Sequence, residues 1–381
     1  MKWKTLGQNL LLAALSVTIV LLCADFVIRQ LNGFHYRRKA EVFRKQLPSN
    51  SDLIGIHTNR FMTDLEKRVL TEKTPLILFV GDSITLGYGL KSIRHAYSEL
   101  FDADISAASG GEREYFARNI SGMGSNINDE ARVFRDVLGR FPVRPEVLVL
   151  GYCLNDIFFS VDEEKRGLVP ILKLLAESRE LDTSHRDVYI NYYSMGKNRR
   201  MVKDAFSDIA ATAKKHDAKP VVVLFPFFVD SGTGEYPYLD IHKQVASYAE
   251  EAGLEALDLY PFYERFKLSS FMTRNDFTHP GPLGHKFAAD IIYHHFSTGG
   301  ILPLPEVAAI PGLKKETRTK RAAEFCDSLF SGEMGFGRSS CGRVLRKLIS
   351  EGKIFSGAVP GFFMIDWASP AAAAHRSGDG D

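Results

Sequence analysis

Cysteine is scarce. Only Cys23, Cys153, Cys326 and Cys341 occur in 381 residues. They form no Cys-x-x-Cys pair and suggest no disulfide scaffold, and no His/Cys cluster has zinc-ligand spacing. An excess of one charge is also missing. Lys plus Arg is 48 against 46 for Asp plus Glu, a net +2. That balance gives no whole-chain electrostatic footprint for nucleic acid, which is not expected as a partner. The 31 Gly and 16 Pro follow no triplet period, which excludes collagen, and no internal repeat is visible. What is present is globular: 45% apolar and 25% charged residues rule out wholesale disorder. The length exceeds one ordinary core and suits a large domain with additions, or two domains.

The apolar content is uneven. Leu10 to Ala24 reads LLLAALSVTIVLLCA without a charge, and Phe26-Val27-Ile28 extends it past Asp25. Leu6 to Ile28 matches the ~20 residues that cross a bilayer as a helix. A cleaved signal peptide opens in the same way, but no small-x-small cleavage site follows. The expectation is an uncleaved transmembrane anchor over residues 1–30, then a polar, basic juxtamembrane connector over 31–70. Arg29, Arg37, Arg38 and Lys39 outnumber Lys2 and Lys4 across the span, which alone favours a cytoplasmic bulk.

From Pro75 the texture becomes α/β. Leu76–Val80, Val147–Leu150 and Val221–Phe225 are short continuous apolar runs, the form of buried parallel strands, and Leu254–Leu259 is a weaker fourth. Helical stretches lie at about Asn126–Arg140, Val202–His216, Ile241–Ala252 and Pro282–Phe296, with an inserted helix expected near Val169–Glu180. Strands alternating with helices imply βαβ units and a parallel sheet covered on both faces. Residues 301–381 turn basic and rich in Gly, Ala and Ser. They read as a partly disordered tail with one short helix, Ser340–Ser350, unless Cys326 and Cys341 staple a small second lobe.

Four short motifs carry chemistry. Gly81-Asp82-Ser83-Ile84-Thr85 follows the first strand, so Ser83 enters a helix where α/β sheets bind ligands. Alone, the tripeptide also reads as a helix cap. Asp276-Phe277-Thr278-His279-Pro280 puts a carboxylate three residues before a histidine, a base with its orienting partner, in a loop stiffened by Pro280 and Pro282. Asn119-Ile120-Ser121-Gly122-Met123-Gly124 precedes a helix, and Cys153-Leu154-Asn155-Asp156 follows the second strand. The Gly124 N–H and the Asn155 amide are then candidate oxyanion donors, although each also suits ordinary turn chemistry.

Taken in order, Ser, Gly, Asn and Asp-x-x-His, these motifs resemble the four blocks of the SGNH (GDSL-like) hydrolase superfamily over roughly residues 75–298. Pro280-Gly281-Pro282-Leu283-Gly284-His285 is similar to the continuation of its last block. The resemblance implies a three-layer α/β sandwich with a mostly parallel central sheet, flavodoxin-like, spanning a catalytic domain at 71–300. It implies Ser83 as nucleophile, His279 and Asp276 as its triad partners, and Gly124 and Asn155 as oxyanion donors. One departure is Cys153, which holds a position where the family usually has Gly. Cys153 and His285 read as a buried core residue and a helix residue, not as chemistry.

The function so implied is a serine esterase or deacetylase acting on a small-molecule, glycan or lipid ester through an acyl-enzyme, with no metal or organic cofactor. Two alternatives stay open: an O-acyltransferase that passes the acyl group to a carbohydrate hydroxyl, and an inactive scaffold that binds a glycan or partner. Anchored members of the superfamily resemble this layout and serve the cell envelope. The expectation is therefore a single-pass membrane protein with its catalytic domain outside the cytoplasmic membrane, against the basic flank.

Overall fold

The computed structural model describes residues 75–109, 115–140, 144–157, 185–229, 235–273, 276–330, 338–357, 359 and 361–367. The expected anchor, the connector and the inserted helix near Val169–Glu180 lie outside them. Among the described residues no helix is long and apolar enough to cross a membrane. The chain divides into two compact units. Of the first, residues 1–51 and 159–191, only the start of a helix from His185 is described. The second, residues 52–158 and 192–381, holds all the other elements.

Five parallel strands form its sheet: β1 (Pro75–Gly81), β2 (Phe116–Asn119), β3 (Arg144–Cys153), β4 (Lys219–Phe225) and β5 (Glu255–Asp258), in the order β2-β1-β3-β4-β5. The three apolar runs are its centre. Leu76–Val80, Val147–Leu150 and Val221–Phe225 are all at most 2% exposed, because helices cover both faces. β5 is an edge strand in which only Leu257 is buried, which explains its weaker signal. β2 has no counterpart among the expected strands. It is the other edge, Phe-Ala-Arg-Asn, and buries only Ala117 and Asn119.

The chain steps outward from β1 to β2, then returns across β1 to β3 and onward to β5. Right-handed crossovers therefore put the first connection on one face and the later ones on the other. The β1–β2 connection holds the single turn α1 (Ser83–Leu86) and α2 (Tyr97–Ala108). The later ones are α3 (Ile127–Arg140), α4 (Gly196–Lys215) and α5 (Leu239–Glu251). α3 packs on α4 and α4 on α5, while α2 packs on the long helix α6 (Pro282–Thr298). Before α6 comes a small antiparallel pair, β6 (Met272–Thr273) with β7 (Asp276–Pro280).

α6 starts with proline at its first turn, where the missing N–H costs nothing. It is buried nearly all round, charges included. Lys286 Nζ lies 3.0 Å from Asp104 Oδ1 on α2 and 2.8 Å from Asp290 Oδ1 one turn on. Burial works against the ammonium, but the two carboxylates outweigh it and hold its pKa up. Burial likewise pushes both Asp104 and Asp290 up.

The described residues of 301–367 form elements not expected of a tail. Within Ile301–Trp367 lie β8 (Lys314–Lys315), α7 (Ala322–Leu329), α8 (Arg338–Ser350), β9 (Ile354–Ser356) and β10 (Phe363–Ile365). The three strands form an antiparallel sheet, β10-β9-β8. Cys326 and Cys341 are joined in a disulfide that ties α7 to α8, with 6.0 Å between their Cα atoms. The cysteines are thus a staple and not two isolated thiols. The segment is also sealed onto the main core. The Trp367 ring lies 5.4 Å from Phe262 and 5.3 Å from Phe287, and Lys286 Nζ sits 5.4 Å from the Phe363 ring. Burying these aromatic faces is what orders a polar, basic stretch of chain.

Candidate active site

The strand order reverses between β1 and β3, so their carboxyl ends open the crevice where doubly wound sheets take ligands. Gly81 ends β1, and Asp82 caps the turn after it by accepting the Ile84 N–H on Oδ1 at 2.8 Å. The helix expected to begin at Ser83 is only one turn long and stops at Gly87. The field of an extended helix is therefore not available to Ser83; the turn orients it instead. Asn119, at the end of β2, fixes that turn. Its Nδ2 donates to Thr85 O at 2.5 Å and to Ser98 Oγ at 2.9 Å.

The Asp-x-x-His motif is a strand, not the loop expected from its prolines. β7 pairs with β6 and is bonded to the segment that follows β4 through Phe228 N to Phe277 O, 2.6 Å. This geometry aims Asp276 and His279 at Ser83. Ser83 Oγ lies 2.8 Å from His279 Nε2, and His279 Nδ1 lies 2.6 Å from Asp276 Oδ2. Thr278 adds Oγ1 and N–H donors to Asp276 Oδ1 at 2.6 and 3.0 Å. Burial alone would raise the Asp276 carboxyl, but the bonds from His279 and Thr278 outweigh it and hold it far below the usual range. An anionic Asp276 favours the tautomer that carries its proton on Nδ1, the one in which Nε2 accepts from Ser83. Asp82 Oδ2, 3.2 Å from the same hydroxyl, is the more distant competitor. Burial pushes its carboxyl up despite the Ile84 bond.

The other two candidate residues lie on neighbouring turns. Gly122 N bonds Gly81 O at 3.1 Å, which tethers the Gly124 turn to the end of β1. Gly124 itself is exposed, with φ of 73°, a conformation that favours glycine. Asn155 follows β3 in a turn closed by Cys153 N to Asp156 Oδ2, 2.6 Å. Its Oδ1 is buried without a hydrogen-bond partner. Among the described residues no hydrogen bond joins Gly124 or Asn155 to Ser83.

Cys153 and His285 behave as core. Cys153 is 1% exposed, and burial, then the charges of Asp82 and Asp156, push its thiol well up. His285 is fully buried in α6 and accepts the Tyr97 N–H on Nδ1.

Sequence reasoning missed a second chain of polar groups. Asp258 Oδ1 lies 2.8 Å from Nδ1 of the buried His242, whose Nε2 lies 3.2 Å from Tyr236 Oη. That oxygen accepts the Phe227 N–H at 2.9 Å. Since Phe228 holds β7, this chain supports the strand that carries Asp276 and His279. No spacing signals it, because its members come from three separate elements. Among the described residues no cluster of His, Cys, Asp or Glu is placed to hold a metal ion.

The family model for GDSL-like lipases and acylhydrolases matches residues 79–287, more than half of the chain. The chain belongs to that family. It is accordingly an ester hydrolase, and its parallel sheet is that of the family. Several solved structures are similar at low identity. One is TesA, 14% identical over 60% of this chain and 99% of its own, with a TM-score of 0.41. An acetyl xylan esterase is 18% identical over 57% and 98%, with a TM-score of 0.40. A lipase/acylhydrolase from Enterococcus faecalis is 20% identical over 59% and 96%, with a TM-score of 0.37. No curated protein matches.

Proposed function

We propose that the protein is a serine esterase or deacetylase in which Ser83 is the nucleophile, His279 the general base and Asp276 its orienting partner. The observation that carries this reading is the unbroken line of hydrogen bonds from Ser83 Oγ through His279 to Asp276, 2.8 and 2.6 Å, at the carboxyl end of β1. His279 Nε2 takes the hydroxyl proton as Oγ attacks the ester carbonyl. The carbonyl oxygen becomes an oxyanion, which the Ser83 and Gly124 N–H groups and the Asn155 amide stabilise, each by about 3 kcal/mol. His279 returns the proton to the departing alcohol. Water then attacks the acyl-enzyme by the same route and releases the acid. A fluorophosphonate label with peptide mapping tests this. The adduct is expected on Ser83 and is lost in Ser83→Ala together with ester turnover; an adduct on another serine sinks the assignment.

The second part of the reading is location. The catalytic domain works outside the cytoplasmic membrane, anchored by Leu6–Ile28, on an acylated envelope carbohydrate or lipid. The buried Cys326–Cys341 disulfide supports an oxidising compartment. The basic residues after Ile28 oppose it. A reporter that is active only after export, fused behind residue 45, is expected to function. Silence there, with a working cytoplasmic reporter, refutes the location.

A further inference from the structure

One hydroxyl at the site takes no part in the proton transfers. The pairing of β6 with β7 is irregular: Met272 faces Pro280, but Thr273 faces Asp276, so the stretch of β7 between those two pairs is a bulge. In a regular strand the neighbours Thr278 and His279 would point to opposite faces, and so would Asp276 and His279. The bulge suspends that alternation. Thr278 Oγ1 comes to 2.9 Å from His279 Nδ1 while lying 2.6 Å from Asp276 Oδ1. The Thr278 N–H, 3.0 Å from the same Oδ1, already closes the Asx turn. Any residue but proline could make that backbone bond, so the turn itself does not need the hydroxyl.

A threonine hydroxyl has one proton to give. An ionised carboxylate only accepts, so the short contact to Asp276 Oδ1 takes that proton. Toward Nδ1 the same oxygen presents lone pairs. Nδ1 therefore faces two acceptors, Asp276 Oδ2 at 2.6 Å and Thr278 Oγ1 at 2.9 Å. A bare Nδ1 would set its own lone pair against both, whereas a protonated Nδ1 suits both. The hydroxyl thus closes a second path, from Nδ1 through Oγ1 to Oδ1, beside the direct bond to Oδ2. We propose that Thr278 is a positioning residue of the reaction, whose hydroxyl fixes the tautomer and the aim of His279. The inference rests on the serine-esterase reading and adds a member to that site. Nε2 must accept the proton of Ser83 Oγ, 2.8 Å away, which it does only in the tautomer with Nδ1 protonated and only while the ring keeps its direction.

The test uses the full chain with p-nitrophenyl acetate. Thr278→Val removes the hydroxyl, keeps the shape and suits a strand. Thr278→Ser keeps the hydroxyl. Thr278→Val is expected to lower kcat by about tenfold with KM changed under about twofold, and Thr278→Ser to stay within about threefold of the wild-type kcat. Nitrogen NMR of isotope-labelled histidine reads the tautomer directly, with the His279 signals identified by their loss in His279→Gln. Nδ1 is expected to be the protonated nitrogen in the wild type and in Thr278→Ser, and the two tautomers to mix in Thr278→Val. Full activity of Thr278→Val overturns the proposal. So does an equal loss of kcat in both variants, which would make Thr278 a packing residue, or an unchanged nitrogen spectrum in Thr278→Val. If the wild type does not cleave the ester, or Ser83→Ala cleaves it equally, the esterase reading falls instead, while the nitrogen spectra still report the hold of the hydroxyl on His279.

Discussion

The backbone N–H of Tyr97 donates to Nδ1 of His285 at 3.2 Å, across 188 residues of sequence. Ala96, which precedes α2, offers no side-chain cap, so a histidine from α6 fills the vacancy. The bond needs a neutral imidazole with Nδ1 bare. Burial, then the charges of His279 and His95, push His285 down to about 3.

That shift predicts acid lability. Unfolded histidine titrates near ~6.5. Above this value both states are neutral and the stabilisation is complete. Between it and about 3 the unfolded chain takes a proton that the folded chain refuses, so stability falls as pH falls, by up to about 1.4 kcal/mol per pH unit. His285→Asn keeps an acceptor near Nδ1 but cannot titrate. Its Tm is expected to fall less steeply than that of the wild type between about pH 6 and pH 4. Parallel Tm–pH curves would show that His285 does not titrate as inferred.

Removing the disulfide should weaken the protein by a defined amount. Cys326 and Cys341 are 15 residues apart. A loop of that length corresponds to about 3 kcal/mol of unfolded-state entropy. Urea denaturation of a double Cys→Ser variant is expected to show that loss, and reduced wild type to match it. A reductant-insensitive wild type contradicts the pairing.

The buried cation predicts an asymmetry. Lys286→Met leaves Asp104 and Asp290 buried and facing one another, at a cost of about 3–5 kcal/mol. Adding Asp104→Leu and Asp290→Leu removes the stranded carboxyls and should recover most of it. A single variant as stable as the wild type would show that the ion cluster is energetically idle.

The Tyr236 chain makes a kinetic prediction. Tyr236→Phe removes the acceptor of the Phe227 N–H next to the residue that holds β7. We expect kcat to fall by about tenfold with KM changed less than about twofold, since Asp276 and His279 shift while the substrate surface does not. Unchanged kcat with a lowered Tm would confine Tyr236 to stability.

How legible each residue was in the sequence depended on how tightly physics constrains it. β1, β3 and β4 are buried on both faces, so Val147–Leu150 and its counterparts had to be unbroken apolar runs. That Ser83, Asp276 and His279 come together was legible because a hydroxyl, a carboxylate and an imidazole stand in two short motifs beside expected strand and helix ends. β2 was hidden because an edge strand of four residues has no such constraint, and β7 because Thr278, His279 and Pro280 look like loop. In α8 the stripe Cys341, Val344, Leu345, Leu348, Ile349 spells a buried helical face. It does not say what that face packs against. The seating of Trp367 on Phe262 and Phe287, and with it the packing of the described residues beyond 300, is a tertiary fact.

β7 pairs with β6 alone and stands apart from the five-stranded sheet. Ser83 sits in the turn after β1, so it is made long before the imidazole it meets. Its partner comes 196 residues later. A chain that emerges N-terminus first therefore carries Ser83 without His279 until β7 has been made.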